Sequence, residues 1–66
     1  MNVHKLLKII DKTYEDTGII PYFVSADSLV NFLMENSSEG EYRNVTFAKN
    51  VDIDELNNTI DYMFGC

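Results

Sequence analysis

One cysteine in 66 residues rules out the usual ways of holding so short a chain together. A disulfide needs two thiols, and Cys66 has no second cysteine to meet. A structural zinc site needs clustered cysteines and histidines, and His4 with Cys66 cannot supply one from a single chain. A domain of this size hides only about 60% of the surface its unfolded chain exposes. Small scaffolds therefore lean on a staple, a metal, very good packing or a partner subunit. With staple and metal excluded, apolar side chains must supply the core, helped by a second copy where they fall short. Four tyrosines and four phenylalanines within a 45% hydrophobic composition argue for a folded chain over a disordered one.

Periodicity divides the chain into five segments of a single domain, residues 1–66. In "NVHKLLKIIDKTYEDTG", Val3, Leu6, Leu7, Ile10 and Tyr14 recur at helical spacing. Asn2 is placed to cap the start, and Gly18 to stop the helix in the left-handed conformation. "IIPYFV" is β-branched and aromatic, with Pro21 marking an edge strand or a strand start. "SADSLVNFLMEN" reads as a second helix with Ser25 as N-cap and Leu29, Phe32 and Leu33 inward. Val30 and Met34 widen that face, so it is buried on two sides or keeps one side for a partner. "YRNVTFAKNV" alternates, Val45 and Phe47 one way and Asn44, Thr46 and Ala48 the other, which predicts a half-buried strand. "DIDELNNTIDYMFG" closes as a helix, with an Asp52–Glu55 capping box and a Val51–Leu56 hydrophobic staple.

The expected fold class is α+β, in the order helix–strand–helix–strand–helix. A two-stranded sheet is marginal on its own and leaves two edges open. A homodimer with one continuous sheet would relieve both problems.

Charge is the most informative property of the chain. The net charge is −6 and it is unevenly spread. Residues 1–12 hold Lys5, Lys8 and Lys12 against Asp11; residues 13–66 hold Arg43 and Lys49 against ten acids. Such a field repels phosphate backbones, so no direct nucleic-acid binding is expected. It attracts basic protein surfaces. No run of about 20 apolar residues is present to span a membrane. Lys5 and Lys8 interrupt the N-terminal apolar stretch, which excludes a secretory h-region. A reducing, cytoplasmic setting is the resulting expectation, and the sequons at Asn36, Asn44 and Asn57 are then chance matches.

Reaction chemistry finds little to work with. Asn50, Asp52 and Asp54 open like a calcium loop, but its sixth position is Glu55 where glycine is required, and its twelfth is Asp61 where a longer bidentate Glu belongs. A helix starting at Asp52 also precludes the loop, and carboxylates at a helix N-terminus account for the same residues. Nucleophilic catalysis needs a base beside the nucleophile, and the spacing of His4 supports no such pair. Glycines stand singly, so no phosphate loop exists. A pocket of ~300 Å3 or more, the usual minimum for a substrate, is not expected from so short a chain. No catalytic, metal or cofactor residue is assigned.

Binding remains. Glu39, Glu41, Asp52, Asp54, Glu55 and Asp61 are candidate contacts for a basic partner surface, with Tyr42 and Arg43 as anchors because Tyr and Arg are enriched at binding hot spots. In size and charge alone, the profile resembles small acidic proteins that mobile genetic elements use to block host enzymes. The expected function is therefore a non-enzymatic protein-binding module, an inhibitor or regulator that occupies a basic, nucleic-acid-facing surface of another protein. The alternative is a structural or regulatory homo-oligomer, in which the basic first helix of one copy meets the acidic remainder of another.

Overall fold

Asn2 starts the first helix, α1 (Val3–Thr17), by accepting the Lys5 backbone N–H on its side-chain oxygen at 2.8 Å. The structure, a computed structural model, describes residues 1–65. Cys66, the lone cysteine, lies outside them. Gly18 closes α1 at φ 73°, and its N–H donates to the Tyr14 carbonyl at 2.7 Å. A Cβ at Gly18 would meet nothing within 4 Å. Gly18→Ala should therefore cost only the backbone term, about 1 kcal/mol. Thermal unfolding should show a midpoint lower by roughly 4–8 °C.

The second helix, α2 (Ala26–Asn36), begins after Ser25, which occupies the N-cap position without making a side-chain capping bond. Leu29 and Leu33 are fully buried. Phe32 is half-buried and meets the Phe23 ring edge-on, with centroids 5.3 Å apart.

The expected α+β class is wrong: among the described residues there are four helices and no strand. "YRNVTFAKN" forms a helix, α3 (Glu41–Asn50), not a strand. Its buried positions are Asn44 and Ala48, one turn apart, with Val45 and Phe47 half-buried beside them. Glu41 in the first turn and Lys49 in the last both complement the helix dipole. Burial of one helical face against α2 outweighs the local β preference of Val45 and Thr46.

"IIPYFV" is an irregular connection between α1 and α2, not a strand. Phe23 is buried there, and its backbone needs partners. They come from one side chain. Asn57 accepts the Phe23 N–H at 3.1 Å and donates to the Phe23 carbonyl at 2.7 Å. A single asparagine thus does for Phe23 what a neighbouring strand would have done. With no strand among the described residues, there is no sheet to continue across a dimer.

The last helix, α4 (Ile53–Phe64), starts at the expected cap, where the Asp52 carboxylate accepts the Glu55 N–H at 3.1 Å. Among the described residues only this half of the capping box forms. Leu56 and Ile60 are buried, and the Phe64 ring lies 5.0 Å from Tyr14, joining the far ends of α1 and α4.

One core unites the helices: Leu6 and Ile10 from α1, Phe23, Leu29 and Leu33, Ala48 from α3, and Leu56 and Ile60 from α4. The Cα radius of gyration, 11.0 Å, matches the ~11 Å expected of a close-packed chain this long. The α2–α3 hairpin turns through residues 37–40, and only Val51 and Asp52 separate α3 from α4. That tight α3–α4 corner sets the geometry of the surface described next.

Candidate functional site

The α3–α4 corner leaves a groove of about 470 Å3 against the start of α1. Val3, Phe47, Val51 and Leu56 give it an apolar floor, and Asp52 and Glu55 stand on its rim. Leu56 is buried, Phe47 and Val51 are half-buried, and both carboxylate residues are exposed. Val51 and Leu56 occupy the two staple positions flanking the α4 cap, so local sequence does place part of the floor. The groove exceeds the volume expected of a chain this short, but it opens to solvent. Among the described residues, its only ionisable side chains are Asp52 and Glu55. The one hydroxyl among the described lining residues, that of Thr59, donates to the Glu55 carbonyl at 2.9 Å.

The remaining candidate contacts are not gathered at this groove. Asp54 is exposed on α4 but turned away from the groove lining, and Asp61 is exposed nearly two turns further along. Glu41, Tyr42 and Arg43 are exposed at the opposite end of α3. A helix rise of 1.5 Å per residue puts them about 13 Å along the axis from Val51. Tyr42 is 83% exposed. Glu39 belongs to a different setting. Its carboxylate lies 3.2 Å from the Met1 amino group and 3.9 Å from the Lys5 ammonium, with the side chain only 15% exposed. It ties the start of α1 to the α2–α3 turn.

Among the described residues, Glu39 is the only acid within 4.0 Å of a cationic group. The other ten carboxylates have no intramolecular counter-charge at that distance. Their field therefore projects into solvent instead of being neutralised at the surface.

Sequence reasoning missed two features. The first is Asn57, a buried polar residue whose role depends on a segment 34 positions away. The second is the apolar exposure of the α1–α2 connection, where Ile19, Tyr22 and Val24 are 68%, 71% and 80% exposed. The run "IIPYFV" signalled apolar character, but nothing local showed that only Phe23 would turn inward. Among the described residues, no cluster of three or more His, Cys, Asp or Glu side chains could hold a metal ion, and no helix is long and apolar enough to cross a membrane. Comparison with family models, with curated proteins and with solved structures returned no match.

Proposed function

We propose that this protein is a small acidic, non-enzymatic binding module that covers a basic, nucleic-acid-facing surface of a partner protein and so inhibits or regulates it. The observation that carries the reading is that, among the described residues, ten carboxylates have no cation within 4.0 Å, on a chain of net charge −6. The chain holds five basic residues against eleven acids, and three of the five lie in α1. Uncompensated carboxylates steer basic surfaces toward the protein and keep nucleic acid away.

The test is affinity capture at low salt, followed by salt-gradient elution and a nucleic-acid competition assay on whatever elutes. The expected partner leaves the resin as ionic strength rises, because exposed charge pairs are screened beyond about 10 Å at 0.1 M salt. It should also bind nucleic acid less well when this protein is present. Asp54→Lys combined with Glu55→Lys should abolish capture while lowering stability by no more than about 2 kcal/mol, since both side chains are exposed and the loss is confined to charge at the start of α4. Capture indifferent to salt, or unchanged in the double variant, would refute the reading.

A second reading is favoured by the exposed Ile19, Tyr22 and Val24, three apolar side chains within six residues of one connection, since apolar exposure of this kind is what association surfaces use. It makes the protein a structural or regulatory homo-oligomer. Sedimentation showing a monomer at high micromolar concentration disposes of it.

A further inference from the structure

We propose that the groove at the α3–α4 corner seats one bulky apolar side chain from a Lys/Arg-rich segment of the partner protein, with Asp52 and Glu55 receiving the flanking cations. The inference rests on the preceding reading that the acidic exterior faces a basic protein, and it adds where contact is made and what enters.

The observations are shape and charge at one place. The side chains of Val3, Phe47, Val51 and Leu56 make the lining apolar, and Val3 is 47% exposed. A volume near 470 Å3 lies within the ~300–1,000 Å3 range of clefts that bind ligands. Both charged residues on the lining are acids, neither is in an ion pair, and no basic residue lines the groove. An apolar pocket bordered by unpaired charge of one sign is suited to a hot-spot anchor, the apolar group supplying affinity and the rim selecting cationic neighbours.

The competing possibility is an anion, because the N-termini of α1 and α4 both border the groove and helix N-termini attract negative charge. Here the protein's own groups already occupy those ends. The Asn2 side chain takes the Lys5 N–H, the Asp52 carboxylate takes the Glu55 N–H, and Asp54 and Glu55 add charge in the first turn of α4. An anion entering the groove would meet the carboxylates of Asp52 and Glu55. A cation-flanked apolar group meets the reverse.

The test uses two synthetic peptides of eleven residues, each of mixed Lys and Arg with a single central Phe in one and Ala in its twin. Affinity is measured from low to physiological salt, and backbone amide shifts of the protein are followed during titration. The Phe peptide should bind at least tenfold tighter than the Ala twin, with the largest shifts at Phe47, Val51 and Leu56. Thr59, half-buried on the groove wall, provides the blocking variant. Thr59→Phe should erase the Phe advantage and leave the weak, salt-sensitive binding of the Ala twin unchanged. Asn50→Tyr, on an exposed part of the lining, repeats the block from the α3 side if Thr59→Phe does not fold. Equal binding of the two peptides, or shifts spread over the acids of α1 and α2, would overturn the groove assignment while leaving the acidic-surface reading intact. Failure of both peptides to bind at low salt would overturn both.

Discussion

Asn57→Leu is expected to destabilise the protein by about 3 kcal/mol, because it orphans two buried backbone groups at once. Leucine matches asparagine closely in shape, so cavity formation contributes little. What is lost is chemical. The Phe23 N–H and carbonyl would keep their burial and lose their partners. Each unsatisfied buried group costs roughly 1–3 kcal/mol, against a total stability of roughly 3–10 kcal/mol for a domain of 66 residues. Chemical denaturation gives the stability loss directly. Hydrogen exchange gives the mechanism: the Phe23 amide should lose its protection in the variant before the α1 core amides do. A fully protected Phe23 amide in Asn57→Leu would show that the connection finds other partners. Asn57→Asp offers a second check. It keeps an acceptor for the Phe23 N–H but removes the donor to the Phe23 carbonyl, so its ionised form faces a carbonyl oxygen across a short contact. Burial and that repulsion both raise the carboxyl's folded-state pKa above the ~3.9 of an unfolded Asp. A raised acid pKa means the folded state holds the proton more tightly. The variant should therefore be most stable at low pH and lose stability as pH rises through the raised value.

The same asparagine explains much of what the sequence conceals. The caps of α1 and α4 and the apolar stripes of α1, α2 and α4 are legible because they are local: Asn2 with Lys5, Gly18 with Tyr14, Asp52 with Glu55, and apolar residues three and four apart. α3 is obscured by its own composition. Its inward face is built on Asn44 and Ala48, so the residue at its centre is polar, and a hydrophobic pattern assigns it to the outside. Val45 and Phe47, two positions apart, then imitate a strand. Asn44 is fully buried, yet its amide donates only to the Glu39 carbonyl and the Met34 sulfur, both at 3.3 Å, and its own oxygen has no partner. Helical burial of such a residue cannot be read from neighbours in sequence. The "IIPYFV" run fails for the opposite reason: its β preference is strong, but a strand needs a second strand, and α3 withdrew the only candidate. At the candidate site, the Val51–Leu56 staple and the two rim acids are visible in sequence. The contribution of Val3 is not, because the approach of α1 to that corner is a tertiary fact. Sequence alone groups Glu39 with the partner-facing acids, whereas its proximity to the Met1 amino group and Lys5 makes it a structural tie.

Leu33→Ala is expected to cost about 3 kcal/mol, the lost transfer free energy plus the cavity left behind. Leu33 is fully buried on α2 and stands in the core with Leu29, Phe23 and Ala48. At roughly 4–8 °C per kcal/mol, the thermal midpoint should fall by about 12–24 °C. The variant also separates fold from docking. Leu33 does not line the α3–α4 groove, so at a temperature where Leu33→Ala remains folded, its affinity for the Phe-centred basic peptide should equal that of the parent protein. Thr59→Phe should show the reverse, a nearly unchanged midpoint with the Phe-specific affinity gone. A tenfold affinity loss in fully folded Leu33→Ala would mean that α2 sets the shape of the groove through the core. Leu33 is the appropriate probe for that coupling, because α2 packs directly on α3 and α3 supplies Phe47 to the floor.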